Sequence, residues 1–191
     1  NRVGLLVTKG MEDAVLMGRG LQSWAEYSYP DRLHAVTHAH PDPLVPRHLV
    51  RGVTERIDQF GAEVAPVYEH EVRTAVEELL GQGVDAICVC CLFSYVDDTH
   101  ERRIRDIARE VLADYNTEVP VYRSSYVRPV IREQSRLNSV ILEAYAADQS
   151  RRQLIGVEEA AKSRGFRHGV QTVLSYGGLA GVRYPRLHET M

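Results

Sequence analysis

Residues Glu69 to Gly81 read E-H-E-V-R-T-A-V-E-E-L-L-G, and Asp85 to Phe93 read D-A-I-C-V-C-C-L-F. In the first segment Val72, Ala75, Val76, Leu79 and Leu80 are spaced to lie on one face of a helix. The second has almost no polar position, the pattern of a strand covered on both faces, as in a parallel sheet. A one-sided helix leading into a wholly apolar strand is the crossover unit of an α/β fold. Downstream the alternation continues. Asp98 to Ala113 is a second one-sided helix with Ile104, Ile107, Ala108 and Val111 inward, and Val119 to Tyr122 is a short strand entered through Pro120. Ile131 to Arg164 is helical with an expected break near Asp148 to Ser150, and Gly169 to Leu174 is a last strand ending in Ser175-Tyr176-Gly177-Gly178.

Upstream, Val3 to Thr8 is an apolar run closed by Lys9-Gly10, which reads as a buried strand. Met11 to Gly18 is helical, with Glu12 and Asp13 in the first turn, where the helix dipole favours acids. Residues 19–48 form a long irregular loop carrying Pro30, Pro41, Pro43 and Pro46. Val50 to Ile57 and Glu63 to Val67 flank a glycine-containing turn and predict a hairpin. The expected fold is α/β: a mixed, mainly parallel sheet with flanking helices, with 1–191 as one continuous α/β region.

The chain has 191 residues, 44% of them hydrophobic and 26% charged, which places it among ordinary globular proteins able to bury a core. Its net charge of -3 offers no field to attract nucleic acid or an anionic membrane. The longest apolar runs, such as Ala86 to Phe93, are too short to span a bilayer. Cys88, Cys90 and Cys91 crowd one strand with no second cysteine pair to complete a zinc site, and read as buried free thiols in a reducing cytosol. A cytoplasmic location is the expectation.

Several groups can carry chemistry. His38-x-His40 with Asp42 offers nitrogen and oxygen atoms to a divalent metal, but without helical H-x-x-x-H spacing no metal site is predicted. Arg47 and His48 stand where the loop meets a strand, with Glu55 and Arg56 further along it. A buried arginine–carboxylate pair anchoring the loop is the structural reading. The functional one is that Arg47 or Arg56 holds an anionic intermediate by bidentate hydrogen bonds. In Asp98-Thr99-His100-Glu101 the expected roles are a helix cap at Asp98 or Thr99, supported by Glu101. Arg102, Arg103 and Arg105 then form a solvated face, and Arg132-Glu133-x-x-Arg136 a weak helical ion pair. Gly177 and Gly178 after a strand let a ligand or another backbone approach without a Cβ in the way.

Three stretches carry a family resemblance. Gly4 to Gln22 reads G-L-L-V-T-K-G-M-E-D-A-V-L-M-G-R-G-L-Q, Pro43 to Asp58 reads P-L-V-P-R-H-L-V-R-G-V-T-E-R-I-D, and Ser175 to Gly178 reads S-Y-G-G. Together they resemble the hydantoinase A group of ATP-dependent enzymes, which includes oxoprolinase and subunits of acetone and acetophenone carboxylases. The M-G-R…Q-S, T-H and P-R-H-L variants are most similar to those of the ketone carboxylases. In that pattern a short charged segment separates an Asn-Arg pair from the first strand, whereas here Val3 follows Arg2 directly.

The resemblance implies an internal piece of an actin-like (ribonuclease H-like) ATPase fold, using ATP with Mg. It places Ser175, Gly177 and Gly178 toward the nucleotide cleft, although Tyr176 replaces the asparagine that other members commonly have. The D-x-G-G-T turns that grip phosphate in the group are absent from this sequence and are expected before Asn1 and after Met191. The implied function is part of an ATP-dependent ketone carboxylase: carbonyl phosphorylation, then carboxylation by bicarbonate to a 3-oxo acid. Arg47 and His48 are the catalytic candidates. The expected partners are a hydantoinase B-like subunit and a small third subunit. An ATP-dependent amidohydrolase, or a non-catalytic lobe that docks partner subunits, are the alternatives.

Overall fold

The computed structural model describes residues 2–17, 28–33, 42–174 and 177–184, without the side chains of 147–149. The chain divides into two compact units, Asn1–Ile141 and Leu142–Met191. The first is built on a sheet of four strands, β1 (Val3–Thr8), β2 (Val50–Val53), β5 (Ala86–Cys90) and β6 (Val121–Arg123), in the order β2-β1-β5-β6. All three pairings in it are parallel, so the α/β expectation holds. The two central strands, β1 and β5, are buried along their whole length.

The register explains why β5 has no polar face. Gly4 pairs with Ile87 and Leu5 with Cys88, and paired residues share a face. Over the Gly4 face lies α3 (Glu69–Gly81), so close that a Cβ on Gly4 would meet Leu79 Cδ1 at 3.0 Å. Over the Cys88 face lies the start of α6 (Glu133–Ser163), where Cys88 Sγ approaches the Val140 carbonyl at 3.4 Å. With helices on both faces, every β5 side chain meets apolar neighbours. Helix α4 (Thr99–Asp114) packs beside α3 and buries Ile104, Ile107, Ala108, Val111 and Leu112. Smaller elements complete the unit: single-turn helices α1 (Ala14–Met17), α2 (Tyr29–Arg32) and α5 (Ser124–Val127), and the ribbon of β3 (Arg56–Ile57) with β4 (Glu63–Ala65).

Two local expectations are corrected. The strand expected over Val50 to Ile57 is broken at Thr54-Glu55: β2 joins the main sheet, and only β3 forms the antiparallel hairpin with β4. The hairpin turn is set by Asp58 Oδ1, which accepts the Phe60 and Ala62 amides at 2.8 and 2.9 Å. Helix α6 shows no break near Asp148 to Ser150 and runs from Glu133 to Ser163. Most of the 19–48 loop, including His38 and His40, lies outside the described residues.

The second unit comprises α6 from Leu142 onward and a ribbon of β7 (Gln171–Val173) and β8 (Leu179–Gly181). Gly177 and Gly178 make its turn, with φ of 89° and 92°, a region that L side chains rarely adopt. That geometry alone requires glycine at both positions. Ser175 lies outside the described residues.

Candidate functional site at the carboxyl edge of the sheet

All four strands of the sheet point the same way, so their carboxyl ends deliver side chains to one edge, where ligands bind in open α/β sheets. Thr8 ends β1, Glu55 follows β2, Cys91 follows β5 and Ser124 follows β6. Each is buried. The first turn of α4 contributes His100 and Glu101, and α6 contributes Arg136; both Glu101 and Arg136 have no exposed surface.

These groups form two hydrogen-bonded clusters. In the first, Glu55 accepts from Thr8 Oγ1 with one oxygen and is 2.7 Å from His100 Nδ1 with the other. His100 Nε2 reaches Glu63 of β4 at 3.0 Å, and Thr8 Oγ1 accepts the Leu92 amide at 2.9 Å. Burial pulls the His100 pKa down, but its bonds to Glu63 and Glu55 outweigh this and leave it raised.

In the second cluster Glu101 Oε1 accepts the Cys91 amide at 2.9 Å and the Ser124 hydroxyl at 2.6 Å, while Oε2 accepts the Ser125 amide at 2.9 Å. Arg136 donates to the Cys91 carbonyl at 2.7 Å and the Val130 carbonyl at 3.2 Å, and stacks over Tyr95. The turn between β5 and α4 is thereby clamped from both sides, with Phe93 held at φ 55°. Burial raises the thiol pKa of all three cysteines, Cys90 to about 12, so they stay protonated and unreactive near neutral pH.

A cleft at the sheet edge, lined by Val7, Met11, Ala14, Cys90, Leu92 and Glu133, holds about 20 Å³, room for one water. Among the described residues, this arrangement fixes the strand ends in place.

Arg47 and His48 lie elsewhere, in a 3-10 turn entering the amino end of β2. Arg47 Nε pairs with Asp13 Oδ1 at 2.5 Å, with both side chains more than half exposed. His48, also exposed, has Nε2 3.5 Å from Arg2 Nη2. The buried arginine–carboxylate anchor is therefore corrected: Arg47 takes a surface acid, and buried Glu55 takes a histidine and a threonine. Arg56 stacks over Phe93 at 5.7 Å. Glu101 is not a cap support but a core acceptor; the Thr99 amide is held instead by Asp97 Oδ1 at 2.7 Å. Arg136 forms the expected helical pair with Glu133, at 3.6 Å, but is itself fully buried.

The hydantoinase/oxoprolinase N-terminal region matches residues 1–112, more than half of the chain. The chain belongs to that family.

Within it, the acetone carboxylase beta subunit of Xanthobacter autotrophicus is 40% identical over 190 residues, covering 100% of this chain and 26% of the relative. The acetophenone carboxylase gamma subunit of Aromatoleum aromaticum is 35% identical, covering 95% and 25%. A nucleotide-free acetone carboxylase structure superposes with a TM-score of 0.89 at 40% identity over 99% of this chain and 27% of that one. The ATP-dependent caprolactamase of Pseudomonas jessenii superposes with a TM-score of 0.81 at 27% identity, over 99% and 26%. This hydantoinase/oxoprolinase-family chain thus spans about a quarter of the length of these relatives. No described helix is long and apolar enough to cross a membrane.

Proposed function

We propose that this chain is a lobe of the ATP-using subunit of a ketone carboxylase, acting in a cytoplasmic hetero-oligomer with hydantoinase B-like and small third subunits. The observation that carries the reading is the 40% identity to an acetone carboxylase subunit over essentially the whole chain, matched in backbone at a TM-score of 0.89. ATP, with Mg, supplies the phosphoryl group that activates the carbonyl oxygen; bicarbonate then provides the new carboxyl group of a 3-oxo acid.

In this reading Gly177 and Gly178, with Ser175, line part of the nucleotide site. Among the described residues nothing lies within 4 Å of where a Cβ would stand on either glycine, which suits close approach by a phosphate. Arg47 and His48 supply positive charge and hydrogen-bond donors toward the migrating phosphoryl group. Arg47 suits a test because its ion pair with Asp13 is solvent-exposed, where such pairs contribute about 0–1 kcal/mol to stability. Arg47→Ala should leave folding intact yet lower ketone-dependent ATP hydrolysis by about tenfold or more, the worth of one lost bond to a charged group. Unchanged hydrolysis would remove Arg47 from the assignment.

The caprolactamase match favours a second reading, ring opening of a cyclic amide. The two are separated by omitting bicarbonate from the intact assembly. Ketone carboxylation should then cease, whereas opening of a lactam should proceed unchanged.

A further inference from the structure

The β3–β4 hairpin leaves the sheet edge directly after Glu55 and is lightly held. Ile57 anchors its base in the core, and Arg56 stacks over Phe93 at 5.7 Å. Its tip rests beside Val96, whose Cγ1 would lie 3.3 Å from a Cβ on Gly61. Phe60 and Val64 point away from the unit, 82% and 65% exposed. Of β4 only Glu63 has a polar side chain, and it reaches out of the hairpin to His100 Nε2 at 3.0 Å. The other ring nitrogen, Nδ1, lies 2.7 Å from Glu55 Oε2.

The two carboxylates that share this ring differ sharply in burial. The Glu55 side chain has no exposed surface, whereas that of Glu63 is 57% exposed. A doubly protonated ring donates to both. A neutral ring keeps one N–H, and its position follows from the cost of the bond given up. Water replaces the donor lost by a half-exposed oxygen, but cannot reach a fully buried one. The remaining proton therefore stays on Nδ1, facing Glu55. Nε2 then turns a lone pair toward Glu63 Oε2, two acceptors face each other, and Glu63 moves out to water.

We infer that the β3–β4 hairpin is a proton-operated clasp on the carboxyl edge of the sheet, closed through Glu63 while His100 carries two protons and released when Nε2 loses its own. Burial works against the charged ring, yet its bonds to Glu63 and Glu55 leave its pKa above the ordinary value, so the clasp opens as pH rises through that raised value. The surrounding charges do not switch with it. Asp97, in the turn before α4, is held below the ordinary carboxylate range chiefly by its bonds to Thr99. The Cys91 thiol beside Glu55 is pushed up by burial and stays protonated. On α4 itself, Arg102 and Arg103 pair with Asp98 and Glu69, and Glu101 is committed to the second cluster. The clasp is independent of the ketone-carboxylase reading.

The test is a spin label on the intact polypeptide carrying Phe60→Cys. That position is exposed, and the buried, protonated native thiols leave it as the reactive cysteine. From about pH 5.5 to pH 8.5 the mobile fraction of the label should rise about fivefold relative to the immobile one. This is less than the tenfold or more of a buried charge-assisted bond, because Glu63 is half exposed. The midpoint should coincide with the His100 titration followed by ring nitrogen shifts, and the neutral ring should carry its proton on Nδ1. Glu63→Gln offers an amide that donates to the neutral ring and a carbonyl that accepts from the charged one, so its hairpin should stay immobile throughout. Mobility that ignores pH in the wild type, a Glu63→Gln variant that keeps the wild-type transition, or a neutral ring protonated on Nε2 would each overturn the clasp.

Discussion

Glu101→Ala should be among the most damaging single substitutions in the first unit, costing about 3–5 kcal/mol, the range for removing one member of a buried charged network. The reason is what it abandons. The carboxylate satisfies the Cys91 and Ser125 backbone amides and the Ser124 hydroxyl at once, in a position with no exposed surface. An alanine leaves three buried donors without that acceptor. The loss should lower the melting temperature by about 6–20 °C, at 2–4 °C per kcal/mol for a chain of this size. Glu101→Gln keeps one carbonyl acceptor and the volume, so it should fall between wild type and alanine. Differential scanning calorimetry of the three proteins gives the order. An alanine variant that melts with the wild type would mean that the clamp contributes nothing to stability.

The main layout was legible because it follows from hydrophobic period. The fully apolar run around Ile87 and Val89 and the one-sided helices on either side leave few alternatives to a covered parallel sheet. Long-range polar pairing was not legible, because nothing in Thr8, Glu55 and His100 as separate letters says that the ends of different strands bring them together. A trace of it existed. Glu101 lies three residues before Ile104 and seven before Ala108, in register with the inward stripe of α4, and Arg136 lies four before Val140 on α6. Charged residues in phase with a buried face are the sign of an internal network, and the i,i+3 spacing of Glu133 and Arg136 drew attention only to their pairing along the helix. The glycine turn was legible as a turn, while its partner strand β8 is too short and too exposed to announce itself.

Glu55→Ala should rival Glu101→Ala, at about 3–5 kcal/mol by the same rule, because it strands the Thr8 hydroxyl and the buried His100 Nδ1 together. His100 adds a dependence on pH whose sign is fixed by the direction of its shift. Both ring nitrogens face carboxylate oxygens, so the imidazolium, with two N–H donors, satisfies both, and the neutral ring satisfies one. A folded-state pKa above the ordinary 6.5 means that the protonated ring stabilises the fold fully below 6.5. That contribution is lost as pH rises through the raised value, so unfolding free energy should fall over the neutral to mildly alkaline range. The buried thiols do not interfere there, since burial moves their titration well above 9. His100→Gln removes the titrating ring while retaining a side chain that can donate to one glutamate. The difference between wild type and His100→Gln, followed by urea unfolding from about pH 6 to pH 8, should therefore shrink as pH rises. A difference that stays constant or widens would show that the ring is neutral throughout, and that the Glu55–His100–Glu63 chain is an ordinary hydrogen-bonded bridge rather than an ionic one.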